Sequence, residues 1–228
     1  MPKISVIIPV FNETFSIGKV IKGIPTELNA DIIVVNNGST DNTAEIAKVA
    51  GAIVINEPKK GYGRACLKGI AYIDSQITKP EIVVFIDGDY SDFPEEMPKL
   101  INEIITNNID LVIGSRVLGN KEKGAMLPQQ IIGNKIATIL MKYFYQTTFT
   151  DLGPFRAIKY ESLKQINMQD QTFGWTVEMQ VKAAKLNLKC SEVPVSYRKR
   201  IGVSKITGTV KGTILAGFKI ISTIFKYR

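Results

Sequence analysis

Apolar and polar positions alternate along the first half of the chain in blocks that predict strands and helices in turn. Short runs of β-branched and aromatic residues, such as residues 82–86, are typical of buried strands, and apolar residues three or four positions apart indicate helices. The predicted strands are 3–9, 31–36, 52–55, 81–86 and 109–113, and the predicted helices are 15–24, 41–50, 64–75 and 94–106. This order is that of βαβ units, so we expect an α/β fold with a mainly parallel sheet and helices on both faces.

The second half departs from this alternation after residue 114. Helices are predicted at 129–146 and 175–185, and strands at 154–158 and 190–197. The first of these helices and the segment from Val210 to Phe225 each carry an apolar stripe at helical spacing. The stripes consist of Ile132, Ile136, Ile139 and Tyr143 in the former, and of Ile214, Phe218, Ile221 and Phe225 in the latter. Two interpretations remain open for them: packing into the core, or a basic amphipathic surface on a membrane interface.

Charge is distributed unevenly along the 228 residues, whose 45% hydrophobic and 22% charged content is ordinary for a globular protein. The formal net charge is +8, and residues 181–228 hold eleven Lys or Arg but one acid, Glu192. A basic tail indicates an anionic partner: a phosphate-bearing substrate, an anionic membrane or a nucleic acid. We expect no nucleic-acid partner, because the tail has Ile and Phe at helical spacing instead of stacking aromatics interleaved with basic residues.

The N-terminus and the cysteine content bear on where the protein is located. The chain passes directly into the first predicted strand, without the leader of a secretory signal. No stretch approaches the ~18–20 uninterrupted apolar residues of a membrane span. The two cysteines, Cys66 and Cys190, are too few for a disulfide framework and fit a reducing compartment. We therefore expect a cytoplasmic protein, and the basic tail leaves open a peripheral position on the cytoplasmic face of the membrane.

Two aspartates, Asp87 and Asp89, directly follow the apolar strand predicted at 81–86. In open α/β sheets, ligands bind just beyond the carboxyl ends of the strands. Two carboxylates at that edge favour a hard divalent cation, which takes oxygen ligands and could also hold a diphosphate. Because the chain has no histidine, acid–base chemistry and metal binding fall to carboxylates.

Polar clusters also follow the first two predicted strands, at residues 9–13 and 36–39, and three such clusters on one edge of a sheet indicate a single cleft. Further motifs are Lys60-Gly61-Tyr62-Gly63, Gly114-Ser115-Arg116, Asp151 to Arg156, Gly174 to Met179 and Ser204-Lys205. In this order and spacing, over nearly the whole chain, the set resembles the family 2 glycosyltransferases, which have the GT-A fold. The branch that it resembles most is that of the dolichyl- or polyprenyl-phosphate sugar synthases.

The resemblance implies a Rossmann-like GT-A fold whose cleft holds a nucleoside-diphosphate sugar. It makes Asp89 the principal ligand of a Mg²⁺ or Mn²⁺ ion and places Asp87 at the ribose or the metal. Ser91 and Asp92 stand where the family often has Gln or His, and either would complete the coordination, unless Asp92 caps the helix that follows Pro94. The residues implied in binding the nucleotide sugar are Pro9, Phe11, Glu13, Asn37, Lys60, Gly61, Asp87 and Gly88.

One of these residues, Asn37, departs from the family pattern, which usually has an aspartate facing the base. An amide both donates and accepts hydrogen bonds, so the identity of the base stays open. The candidate diphosphate contacts are basic, and guanidinium groups suit bidentate phosphate recognition. They are Arg116, Arg198, Arg200 and Lys205, of which Lys205 belongs to a loop that closes over the donor in the resembling family.

The implied reaction is transfer of the sugar with inversion at the anomeric carbon. A lipid-phosphate acceptor is already anionic and needs no general base, whereas a hydroxyl needs a carboxylate to take its proton. Glu178 is the better candidate for that base, and Asp151 the other, unless Asp151 holds the acceptor or positions the loop. The synthases usually have an arginine near the start of the helix where this chain has Gln129-Gln130. A saccharide or small-molecule acceptor therefore remains the alternative to polyprenyl phosphate.

We expect one domain over residues 1–228. Residues 1–116 form its nucleotide-sugar-binding half, 117–207 its acceptor-side half and 208–228 an amphipathic basic helix. A nucleotidyltransferase that makes activated sugars shares this sheet architecture. It would need a glycine-rich, arginine-containing loop after the first strand, and residues 9–13 do not form one.

Overall fold

A computed structural model describes residues 2–202 and 210–228, so Ser204 and Lys205 lie outside the described residues. The strands are β1 (Ile4–Val10), β2 (Asp31–Asn36), β3 (Ile53–Asn56), β4 (Ile82–Phe85), β5 (Leu111–Ser115), β6 (Arg156–Lys159) and β7 (Cys190–Pro194). The helices are α1 (Ile17–Gly23), α2 (Thr43–Val49), α3 (Tyr62–Ser75), α4 (Met97–Asn107), α5 (Pro128–Tyr145), α6 (Tyr160–Ile166), α7 (Trp175–Lys185) and α8 (Val210–Lys226). Two short 3-10 turns cover Thr26–Leu28 and Pro94–Glu96.

These strands form one sheet in the order β3-β2-β1-β4-β6-β5-β7. All neighbours in it run parallel except β6, which is antiparallel to both β4 and β5. Every residue of β1 is buried, as is usual for a strand of a parallel sheet that helices cover on both faces. The predicted α/β fold with a mainly parallel sheet is therefore confirmed.

The core consists of two layers, one on each face of the sheet. On one face Ile7 and Phe85 pack with α3 and α7, and the ring of Phe85 lies 5.8 Å from that of Trp175 in an edge-to-face contact. On the other face Ile8 and Val84 pack with α1 and α4. Successive strand residues point to opposite faces, which is why neighbouring apolar residues of β1 and β4 serve different layers.

Two elements of the second half differ from expectation. The strand predicted at 154–158 forms at Arg156–Lys159, where it inserts between β4 and β5. Helix α6 was not predicted, because its seven residues are too few to show a helical period. Three of them, Tyr160, Leu163 and Ile166, nevertheless bury one face of the helix against the core.

Helices α5 and α8 lie side by side and leave an apolar face exposed. The rings of Phe144 and Phe225 are 5.2 Å apart, and the Tyr145 hydroxyl donates a hydrogen bond to the Ile224 carbonyl oxygen. The eight residues of the two predicted stripes are between 38% and 79% exposed. Core packing is therefore the wrong interpretation of these stripes, because α5 and α8 turn other residues inward, among them Ala137, Met141 and Ile224. In the part of the chain that the structure describes, no helix combines the length and the apolar character needed to span a bilayer.

Candidate functional site

The loops after β1, β2 and β4 meet in a cleft of about 370 Å³ at one edge of the sheet. They meet because the three strands are parallel neighbours, with Val10 opposite Asn36 and Ile7 opposite Phe85. A cleft of this size accommodates a small ligand. The predicted site residues that line it are Pro9, Phe11, Glu13, Asn37, Lys60, Gly61, Asp87, Gly88, Asp89 and Arg200.

An apolar surface and a cation lie together in one part of this cleft. The Lys60 ammonium is 4.6 Å from the centre of the Phe11 ring, within the range of a cation–π contact. Gly88 acts by its lack of a side chain, since a Cβ atom there would lie 2.6 Å from Cγ1 of Val10. The chain after β4 thus passes close to the end of β1, where a side chain at position 88 would not fit.

The amide of Asn37 holds the segment that leads into α3. Its Nδ2 donates hydrogen bonds to the carbonyl oxygens of Glu57 (2.9 Å) and Lys59 (2.8 Å), and its Oδ1 accepts one from the Gly61 nitrogen (2.8 Å). A carboxylate has no hydrogen to donate and could make only the last of these bonds. The departure from the family pattern at this position therefore has a local structural reason.

One wall of the cleft, opposite the segment that leads into α3, was not predicted from the sequence. It contains Thr172 and Phe173, which precede α7. A Cβ atom on Gly61 would lie 2.3 Å from the carbonyl oxygen of Gln171, so the two backbones touch. A Cβ atom on Gly63 would lie 2.0 Å from the Asp170 carbonyl oxygen. Paired glycines are a signal of close backbone approach, but they do not identify the approaching segment.

The carboxyl groups of Asp87 and Asp89 both line the cleft but differ in their bonds to the rest of the protein. Oδ1 of Asp89 accepts hydrogen bonds from the Ser91 nitrogen (2.9 Å) and hydroxyl (2.6 Å), and its Oδ2 lies 3.2 Å from Nη2 of Arg200. Oδ1 of Asp87 is buried and has no hydrogen-bond partner among the described residues. Burial, and then the charge of Asp89, raise the pKa of Asp87 to about 7. Burial, and then the charge of Asp87, raise the pKa of the Tyr62 hydroxyl well above its ordinary value.

Asp92 does not cap the helix that follows it, which was one of the two roles that the sequence left open for this residue. Both of its carboxyl oxygens are buried and unbonded within residues 2–202 and 210–228, and the 3-10 turn at Pro94–Glu96 has no side-chain cap. Burial, and then the charges of Asp87 and Asp89, raise its pKa well above the ordinary value. The backbone of Asp92 pairs with that of Tyr197, and its carboxyl group is an additional buried acid close enough to Asp87 and Asp89 to interact with their charges.

Two of the candidate phosphate contacts bind protein groups and do not line the cleft. Arg116 donates to both carboxyl oxygens of Asp151, from Nε at 2.8 Å and from Nη2 at 2.7 Å. The guanidinium of Arg198 lies 3.6 Å from the Tyr90 ring centre and 3.7 Å from that of Phe93. Both arginines therefore stabilise the loops around the cleft in this structure.

The two candidate bases, Asp151 and Glu178, are fully buried and firmly bound. Burial opposes ionisation of Asp151, but Arg116 outweighs it and holds the pKa of that carboxyl below its ordinary value. Glu178 accepts hydrogen bonds from the Gln169 and Asp170 nitrogens and from the Tyr227 hydroxyl (2.7 Å), and it forms an ion pair of 2.7 Å with the Lys182 ammonium. Glu178 thereby ties the end of α8 to the segment that carries Thr172 and Phe173.

Among the described residues, no three acidic or thiol groups converge in the manner of a complete protein metal site. Asp87 and Asp89 both supply carboxyl oxygens to the lining of the cleft, and Ser91 orients Asp89. A cation at this edge would therefore need ligands from a bound molecule as well as from the protein.

The carboxylate-lined cleft lies at the carboxyl ends of the parallel strands, where open α/β sheets bind their ligands. The model of the family "Glycosyl transferase family 2" matches residues 5–166. An uncharacterised glycosyltransferase of Mycobacterium tuberculosis is 34% identical over 218 residues, covering 93% of this chain and 94% of that protein. The chain belongs to glycosyl transferase family 2 and is a glycosyltransferase.

Two further comparisons extend this result. Glycosyltransferase AglJ from Haloferax volcanii is 31% identical over 198 residues, which cover 86% of this chain and 63% of that protein. The crystal structure of glucosyl-3-phosphoglycerate synthase from Mycobacterium tuberculosis, with Mn²⁺, uridine diphosphate and phosphoglyceric acid, superposes with a TM-score of 0.79. It is 21% identical, and the match covers 99% of this chain and 78% of that one. The GT-A fold expected from the sequence is confirmed.

Replacing Asn37 by aspartate should destabilise the protein by about 1–3 kcal/mol, because the carbonyl oxygens of Glu57 and Lys59 would lose their donors and face a negative charge. Urea unfolding measures this change. The matched control is Asn42→Asp, an exposed position at the start of α2, with an expected change within about 0.5 kcal/mol. Equal stability of the two variants would contradict the role given to the Asn37 amide.

Replacing Glu178 by alanine should lower the free energy of unfolding by about 3 kcal/mol or more, because Lys182 and two backbone N–H groups would lose a buried partner. Glu161→Ala, an exposed glutamate in the first turn of α6, is the control. If Glu178→Ala instead kept its stability and lost turnover by ~100-fold or more, Glu178 would be a catalytic base.

Proposed function

We propose that the protein transfers a sugar, with inversion, from a nucleoside-diphosphate donor to a polyprenyl phosphate at a membrane surface. The observation that carries the donor half is the convergence of three strand-end loops and Arg200 in one cleft. Phe11, Asn37 and the Lys60-Gly61 segment suit the base and ribose. Asp87, Asp89 and Arg200 suit the diphosphate and its counter-ion. The related fold of glucosyl-3-phosphoglycerate synthase, crystallised with UDP-glucose, supports this assignment.

A divalent cation fits the residues at the cleft. Asp87 has a buried oxygen without a hydrogen bond to any described residue, and carboxylate oxygens are the ligands that Mg²⁺ and Mn²⁺ prefer. Asp89 would hold the ion together with Asp87, and Ser91 would keep the Asp89 carboxylate oriented. When bound, the ion would supply Lewis-acid stabilisation of the departing diphosphate. The synthase of related fold has been crystallised with Mn²⁺ and with Mg²⁺.

The choice of acceptor rests on the two candidate bases. Glu178 accepts hydrogen bonds from three donor groups and pairs with Lys182, and Asp151 is bound by Nε and Nη2 of Arg116. Neither carboxylate lines the cleft, so neither is placed to take a proton from an acceptor hydroxyl. A phosphate acceptor needs no such base because it is already anionic. The alternative, a saccharide or small-molecule hydroxyl with Glu178 as base, has support from the phosphoglyceric acid in the crystallised synthase.

The exposed apolar face of α5 and α8 supports a bilayer as the place where the acceptor is met. Residues 128–145 and 210–226 contain several lysines and no Asp or Glu. Lys135 and Lys142 of α5 and Lys226 of α8 are exposed near this face, so its charge complements anionic headgroups. Apolar side chains beside basic ones are typical of helices that lie in the interface plane. The protein would thus attach peripherally, with the apolar face of α5 and α8 against the lipid.

Asp89→Ala should lower transfer by ~100-fold or more while leaving the fold intact, because the diphosphate would lose its principal counter-ion site. The assay offers the purified protein a panel of labelled nucleotide sugars with Mg²⁺ or Mn²⁺, in the presence and absence of polyprenyl phosphate. Circular dichroism checks the fold. Undiminished transfer by the variant would refute the metal-dependent donor site. Label in the lipid phase identifies the phosphate acceptor, and label in a water-soluble product with added saccharide identifies the alternative.

The membrane contact is tested by sedimentation with vesicles of phosphatidylcholine, with and without phosphatidylglycerol. We expect binding to the anionic vesicles that weakens with added salt. The double variant Ile139→Ser/Phe218→Ser should bind at least ~10-fold more weakly, because two apolar side chains no longer enter the interface. Ile77→Ser, at an exposed position in the loop before β4, is the control. Equal binding by the variants, or a dimer that only the double variant disrupts, would refute the bilayer as the partner of this face.

A further inference from the structure

We infer that the Arg200 guanidinium is a built-in counter-ion for the metal site, which the divalent cation displaces and which the donor diphosphate then takes up. Asp89 is the proposed metal ligand, and Arg200 is a proposed contact of the diphosphate. In this structure the two side chains bind each other. The inference rests on the proposed function, since it concerns how that function's metal and donor enter.

The position of Arg200 coincides with the place where a cation is needed. Its Nη2 lies 3.2 Å from Oδ2 of Asp89 and 3.4 Å from Oε1 of Glu13. Both acids are less than 10% exposed, and buried carboxylates without a counter-charge are costly. The other oxygen of Asp89 already accepts two hydrogen bonds from Ser91. The guanidinium therefore neutralises the remaining oxygen of Asp89.

A divalent ion and this guanidinium compete for the same Asp89 oxygen, because two cations close to one carboxylate oxygen repel each other. Metal–oxygen contacts to carboxylates are about 2.0–2.2 Å long for such ions, so the metal would stand inside the present arginine contact and repel its charge. Binding is therefore an exchange of one cation for another. The exchange replaces a charge of +1 beside Asp89 by one of +2, and the displaced guanidinium is stabilised when it meets a new anion.

The contacts of Arg200 are suited to such an exchange. Both ion pairs use the single nitrogen Nη2, and the Nε atom makes no hydrogen bond to any residue of 2–202 or 210–228. The side chain is 31% exposed, so it has solvent on one side. Arg116 provides the contrast, because it holds Asp151 through two side-chain nitrogens and is 12% exposed. Arg116 has the geometry of a permanent ion pair, and Arg200 does not.

The backbone keeps the released side chain close to the donor. The Ile201 nitrogen donates a hydrogen bond of 3.0 Å to the Asp89 carbonyl oxygen, so the chain at Arg200 remains at the cleft while the side chain moves. A guanidinium there can bind a diphosphate in bidentate fashion. Diphosphate would thus draw Arg200 away from Asp89 and strengthen metal binding, and metal would by linkage strengthen diphosphate binding equally.

The test measures Mn²⁺ binding to the full chain by isothermal titration and by the electron paramagnetic resonance signal of free Mn²⁺. It uses the native protein, Arg200→Gln and the control Lys199→Gln, each with and without uridine diphosphate or guanosine diphosphate. Lys199 is the exposed neighbour with the same charge. Without nucleotide, Arg200→Gln should bind Mn²⁺ about fivefold more tightly, or better, than Lys199→Gln. With Mn²⁺ present, it should bind the nucleotide about fivefold more weakly, so the gain in metal affinity caused by nucleotide should shrink.

Two adverse outcomes are distinguishable. If all three proteins bind Mn²⁺ and Arg200→Gln shows no gain over Lys199→Gln, the displacement is refuted while the proposed metal site stands. If none binds Mn²⁺, even with either nucleotide, the metal site of the proposed function is refuted and the displacement with it. Thermal unfolding of the variants confirms that they are folded, and binding of Mn²⁺ alone needs no turnover.

Discussion

The parallel pairing of β1 with β2 and β4 is the constraint on which the cleft depends. It is fixed by register, since β1 is buried along its whole length and a shift by one residue would exchange the side chains of the two core layers. Two backbone bonds continue the pairing beyond the strands, from the Asn37 nitrogen to the Val10 oxygen and from the Ile86 nitrogen to the Ile7 oxygen. The polar loops therefore leave the sheet side by side, and the floor of the cleft that they form follows from their proximity.

The buried acids around this edge fall into two groups. Asp151 and Glu178 have cationic partners and several donors, so their charge is neutralised inside the protein. Asp87 and Asp92 have oxygens that no described residue binds, and burial raises the pKa of each. The first group stabilises the fold. In the second group, the Asp87 oxygen without a hydrogen bond lies at the cleft, where a cationic ligand can bind it.

Sequence patterns predicted what depends on local signals. The strands of the first half have strong apolar runs, and the polar residues after them are placed by the geometry of parallel sheets, so most of the cleft could be foreseen. Contacts between residues far apart in the chain could not be predicted in this way. The partner of Glu178 at the end of α8, Tyr227, is 49 residues away in the chain, and nothing in its neighbourhood indicates the pairing. The insertion of β6 as an antiparallel strand and the exposure of the α5 and α8 stripes depend likewise on tertiary packing.

The segment 170–173 shows where a local signal was incomplete. Gly61 and Gly63 indicate that another backbone segment comes close. The close approach of Gln171 and Asp170 explains why these two positions are glycine. The approaching segment lies more than one hundred residues further along the chain. Its identity follows from the anchoring of Gln169 and Asp170 by Glu178, which links the wall of the cleft to α7.

The hydrogen bonds of Asn37 also bear on the chemical ageing of the protein. Asn37 precedes Gly38, and an asparagine before glycine readily loses its amide when the next backbone nitrogen attacks the side-chain carbon. In the folded chain this side chain is 7% exposed and fixed by three hydrogen bonds, which keep it from reaching the geometry of attack. Unfolded chains have no such protection. Deamidation would therefore accumulate in molecules that have been heated or denatured, as a mass gain of about one dalton, and would leave them with aspartate or isoaspartate where the cleft requires an amide.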